Sequence, residues 1–188
     1  MWFSSTCVGR REWLRMLCVL PAAALPCAPS AHGKSVLPEL PPGWLPRGAA
    51  VMRFLGLPIY EISLWASQAV SAEDWSEQPF ALSLRYRRAL QGRSIAERSL
   101  QEMQRQGGID PALGERWLAD MSAAFPDVVQ GDRLSGRHDP HSGARFWCNG
   151  MPRGPLFDTA FSRRFFGIWL APQTSAPEVR AQLLGLPR

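Results

Sequence analysis

Lysine is almost missing from this chain: Lys34 stands alone, and the other twenty basic residues are arginines. Tyrosine occurs only at Tyr60 and Tyr86, and asparagine only at Asn149. No run of 18 apolar residues is present, nor any heptad or fixed-period repeat, which excludes an ordinary membrane span, a coiled coil and a solenoid. Of four cysteines, Cys7, Cys18 and Cys27 fall in the first thirty residues. Cys148 is left without an internal partner, so neither a disulfide nor a cysteine-based zinc site is expected beyond them. Charged residues at 20% are too few for a disordered polyelectrolyte, whereas 46% apolar residues suffice for a core in a chain of 188. The 16 glycines and 17 prolines imply many turns between short elements.

The N-terminal stretch has the grammar of an address. Residues 9–15, GRREWLR, resemble a twin-arginine export signal, and the apolar stretch 16–28 that follows is too short to span a bilayer. Cleavage near Ala31 is expected, which would place the mature chain in the periplasm. It would also reduce the net charge from +5 to +3 (18 basic against 15 acidic residues). Residues 32–46 hold four prolines and should run extended into a domain covering residues 47–188.

Within that domain, residues 51–66 read as two short strands in a hairpin, broken at Gly56 and Pro58. Phe80, Leu82, Leu84 and Tyr86 alternate with Ala81, Ser83, Arg85 and Arg87, the pattern of a strand with one buried face. Ser94 and Glu97 form a capping box for a helix bearing Ala96, Leu100 and Met103. Asp110-Pro111 opens a second helix with Leu113, Trp117, Met121 and Ala124 on its apolar face. Residues 131–136 and 143–150 form a strand pair, and Asn149-Gly150 marks a tight turn. Asp158 caps a helix with Phe161, Phe165, Ile168 and Trp169, and Ser175 with Glu178 starts a last one carrying Val179 and Leu183. The order βββ-αα-ββ-αα predicts an α+β fold, an antiparallel sheet with helices on one face and a cleft between the layers.

Several motifs carry little chemistry. His138-Asp-Pro-His141 has neither helical spacing nor cysteines, so a solvated loop is favoured over a metal site. No phosphate loop or nucleophile elbow is present, and no cofactor is implied. Arg85, Arg87, Arg88 and Arg93 lack interleaved aromatics and read as a solvated face rather than a nucleic-acid surface. Arg53 sits among Met52, Phe54 and Leu55, so it either faces a partner inside the cleft or is turned to solvent by strand alternation, with Phe54 inward. Tyr60 is a second candidate donor to the same anion, or a core tyrosine.

The strings RFLGLPIYEISLW, FALSLRYRR, residues 94–103, FPDVVQGDRLSG, ARFWCNG and FSRRFFGIWLAP with its trailing TSAP resemble the bacterial exported chalcone isomerase-like family, from about Arg47 to Gly185. The resemblance implies an open-faced β-sandwich. Plant enzymes of that superfamily close the ring of a chalcone by adding a phenolate to an enone, and non-catalytic relatives hold a fatty acid through an Arg and a Tyr. Arg53 is similar in position to the family's cleft arginine, and Tyr60 to the fatty-acid binders' tyrosine. The enzymes' helical Tyr and Asn have no counterpart in residues 92–125. The resemblance therefore implies a binder of a lipophilic, anionic small molecule, with Arg53 and Tyr60 at its head group. One alternative is an isomerase relying on Arg53. Another is an interaction module exposing Phe165 and Trp169.

Overall fold

The computed structural model describes residue 37 and residues 40–187; the candidate leader lies outside the described residues. Six strands form one antiparallel meander, each paired with its neighbour in sequence: β1 (Leu45–Phe54), β2 (Leu57–Ala66), β3 (Phe80–Tyr86), β4 (Arg133–Asp139), β5 (Gly143–Cys148) and β6 (Met151–Phe157). Helices α1 (Gly92–Gln104) and α2 (Pro111–Ala124) are inserted between β3 and β4, and α3 (Thr159–Leu170) and α4 (Pro177–Leu184) follow β6. Contacts run from α4 to β1, from α3 to β4 and β5, and from α2 to β6.

Pleating sorts the side chains. Ile62, Leu64, Leu82, Leu84, Leu134 and Phe146 are buried on the helix side. Register aligns Glu61, Arg85 and Arg133 in one row of the other face, and Trp65, Ala81, Arg137 and Arg145 in another. On that face Arg137 lies 5.7 Å over the Trp147 ring. The fold is the expected α+β open-faced sandwich.

Three expectations about the elements change. The element order is βββ-αα-βββ-αα, because β6 is a strand that the sequence hides. Pro152 and Pro155 remove two ladder donors, which only an edge strand tolerates, and β6 is an edge. Helix α1 starts at Gly92 rather than at a Ser94 capping box. The Asp127 carboxylate accepts from the Gly92 N–H at 2.8 Å, and a Cβ at 92 would stand 2.1 Å from the Phe125 carbonyl oxygen, so only glycine fits. Helix α4 opens on Pro177, and Thr174 Oγ1 accepts from the Ala176 N–H at 3.1 Å in place of the expected Ser175–Glu178 box. The Asp110 and Asp158 caps form as read, accepting from Leu113 N–H at 3.1 Å and Phe161 N–H at 2.7 Å.

Aromatic packing dominates the core between sheet and helices. Phe146 of β5 meets Phe125, Phe157 and Phe165 at centroid distances of 5.2, 5.3 and 4.9 Å. Phe165 and Trp169 are both buried, which removes the exposed aromatic patch that the interaction-module alternative required. His138, expected in a solvated loop, instead belongs to β4 and is buried beside Phe80 and Phe166. Its Nε2 lies 2.8 Å from the Ser76 carbonyl oxygen and its Nδ1 2.7 Å from Ser162 Oγ. A carbonyl only accepts, so Nε2 carries the proton and Nδ1 accepts from the serine. His141 is exposed, and no metal-binding cluster occurs among the described residues.

Burial, partly offset by the Ser76 hydrogen bond, holds the His138 imidazole below the ordinary 6.5. Below that pH the unfolded chain binds a proton that the folded chain refuses, so stability should fall as pH drops from 6.5 toward the depressed value. Asp132 and Asp139 are held below the ordinary 3.8 by hydrogen bonds from backbone amides first, and act only in stronger acid. The urea midpoint should therefore decline with acidification between 6.5 and 3.8, and His138→Gln should flatten that decline.

Candidate functional site: a cavity between sheet and helices

A cavity of about 290 Å³ lies between the sheet and helices α1 and α3. That is close to the lower end of small-molecule pockets, about 300–1,000 Å³. Its sheet side is Met52 and Phe54 of β1, Tyr60 of β2, Leu84 and Tyr86 of β3 and Leu134 of β4; α3 adds Phe165, Ile168 and Trp169. The α1 wall is Ile95, Arg98, Ser99 and Glu102, at i, i+3, i+4 and i+7, and so on one helical face. Phe54, Ser94, Arg98 and Ser175 line the cavity while being exposed, which locates its mouth between the β1–β2 hairpin and α1. The sheet and α3 make an apolar chamber, and α1 brings charge to its rim.

The charge is organised around Glu102, whose side chain is only 8% exposed. Arg98 Nη2 lies 2.6 Å from its Oε1, and Arg105 Nε lies 3.6 Å from its Oε2. One carboxylate between two guanidiniums leaves an excess of one positive charge. Arg98 spends one of its five N–H groups on Glu102, so others stay available at the mouth. On the opposite wall, Tyr60 Oη accepts from Trp169 Nε1 at 3.0 Å, leaving its own proton to donate. Burial raises the Tyr60 hydroxyl to about 12, against the opposing effect of the Trp169 bond, so it stays a phenol. Burial pushes the Tyr86 hydroxyl up as well.

Of the two residues singled out from sequence, Tyr60 lines this cavity and Arg53 does not. Met52 and Phe54 point to the cavity, and alternation turns the intervening Arg53 to the open face, where Nη1 donates to the Gly56 carbonyl at 3.2 Å. The two are therefore not brought together, and the isomerase alternative loses the guanidinium it relied on. The cavity's own guanidinium is Arg98, which the sequence reading passed over. Its signal was present: Ser99 and Glu102 are polar residues on the buried flank of α1. Burial also raises the Cys148 thiol, which is buried at the end of β5.

Comparison with known proteins agrees with this architecture. Residues 47–185 match the family described as chalcone isomerase-like. The chain belongs to that family. An uncharacterized protein of Haemophilus influenzae is 30% identical over 142 residues, 76% of this chain and 68% of that one. Among solved structures, a fatty-acid binding protein of Arabidopsis thaliana superposes with a TM-score of 0.59 over 77% of this chain and 88% of its own, at 12% identity. At that identity the likeness shows a shared fold alone.

Proposed function

We propose that this protein is a non-catalytic binder of a lipophilic carboxylic acid, a fatty acid foremost, held in the cavity between the sheet and helices α1 and α3. The observation that carries this reading is the pairing of an apolar chamber with Arg98 and Glu102 at its rim, Glu102 also being held by Arg105. A ligand carboxylate would bring that cluster to two charges of each sign. Arg98 would donate to it, and Tyr60, which keeps its proton, would supply the second hydrogen bond. The acyl chain would lie on Leu84, Leu134, Phe165 and Ile168, contributing about 0.8 kcal/mol per methylene buried. The fatty-acid binding protein that shares the fold supports the same ligand class. The leader read from residues 1–31 supports a periplasmic site of action, which fractionation of cells expressing the full chain would test.

Titration of the purified protein with saturated acids from laurate to palmitate checks the ligand class. Saturable binding that strengthens with chain length until the chamber is filled is the expected result. Failure to bind any of the series would overturn the reading.

A further inference from the structure

The chain contains two hairpins with the same two-residue turn. At the β5–β6 hairpin the turn is Asn149-Gly150, with φ of 50° and 80°. At the β1–β2 hairpin it is Leu55-Gly56, with φ of 48° and 79°. Asn-Gly is the ordinary choice when both residues need positive φ, because asparagine tolerates the left-handed region and is at home in water. Leucine at position 55 meets neither condition: its backbone is strained and its side chain is 87% exposed. Phe54 and Leu57 beside it are exposed too. Phe54 also forms part of the cavity mouth.

Behind this tip the open face is basic. Arg53, Arg85 and Arg88 are exposed, and Arg85 lies directly across the ladder from Arg133, a repulsive pairing. Glu61 stands across from Arg85 on the other side, but its carboxylate is taken by Arg87. Three large apolar side chains on a hairpin are too few for a stable protein interface, which needs about 800 Å² from each partner. Shallow insertion into a lipid interface needs no more than such a tip when arginines contact anionic head groups, each worth about 1 kcal/mol near the surface.

We propose that the β1–β2 hairpin tip is a membrane-contact element that seats the cavity mouth on an anionic phospholipid surface. Contact is peripheral, since no helix among the described residues is long and apolar enough to cross a bilayer. The proposal goes beyond ligand binding; only its purpose, exchange of an acyl ligand between bilayer and cavity, rests on that reading.

Residues 32–188 contain the whole compact unit that begins at Val36 and suit the test. They would be floated with vesicles of phosphatidylglycerol and phosphatidylcholine, and with phosphatidylcholine alone. Binding is expected only to the anionic vesicles, weakening as salt rises. Leu55→Asn installs the residue used in the other hairpin, so it should leave folding and fatty-acid titration intact while lowering vesicle partition about tenfold. Arg53→Gln with Arg85→Gln should remove the preference for anionic lipid. Absence of flotation with anionic vesicles would overturn the proposal, as would a Leu55→Asn variant that floats like the parent, or a tip that instead captures a protein partner. Flotation lost with Leu55→Asn in a protein that ignores fatty acids would uphold the membrane contact and overturn the cavity reading.

Discussion

Arg98→Ala is expected to weaken binding of a saturated fatty acid by about 1.5–3 kcal/mol, roughly 10- to 150-fold, the range for a charge-assisted hydrogen bond. The loss has two parts. The guanidinium that faces the ligand carboxylate disappears, and Glu102 keeps only the longer contact to Arg105, at 3.6 Å, so a carboxylate with one partner fewer stands in the cavity wall and repels the ligand. Removing both should therefore be milder than removing one: Arg98→Ala with Glu102→Gln should recover part of the affinity, a coupling that a double-mutant cycle would read. The methyl ester of the same acid, which carries no charge, should respond little to either change. Position 98 is exposed on a helix, where alanine is the best helix former, so the fold should survive. Calorimetric titration of acid and ester against the four proteins measures all of this. Equal losses for acid and ester would mean that Arg98 acts only as a packing surface at the mouth.

Phe146→Ala should produce the largest loss of stability, about 3–5 kcal/mol, the range for removing a buried aromatic ring. Phe146 is 2% exposed and sits where the sheet meets α3 and the chain after α2, in edge or stacked contact with Phe125, Phe157, Phe161, Phe165 and Phe166. Its neighbours come from three separate stretches of chain, the end of α2, β6 and α3, so they cannot collapse together to refill the space without moving whole elements. The void would also border Phe165, which lines the ligand cavity. Urea unfolding followed by tryptophan fluorescence would show a lower midpoint. A change under 1 kcal/mol would mean that the aromatic cluster repacks freely.

Much of the scaffold was legible in the residues themselves. Helices α2 and α3 follow from Asp110 and Asp158 caps and from apolar residues at helical spacing, because those signals are local and chemical. Strand β3 showed through its alternation. Strand β6 did not, since Met151–Phe157 contains two prolines and owes its place to pairing with β5 rather than to any propensity of its own. The start of α1 was misplaced for a related reason: its cap, Asp127, lies 35 residues along the chain from Gly92.

The candidate site divides in the same way. Tyr60, which lines the cavity, stands out because a tyrosine in an apolar strand is conspicuous by composition. Arg53 was equally conspicuous, yet it faces the open side, and Arg98, in a helix full of polar residues, was not. Composition, caps and periodicity by themselves determined that this chain makes an antiparallel sheet with helices on one face and an apolar interior. Which guanidinium meets that interior was decided by tertiary structure alone. The face that a strand residue takes flips with a shift of one position, and the rotation of α1 about its axis is set by what packs against it. Neither quantity is a property of the residue or of its neighbours in sequence.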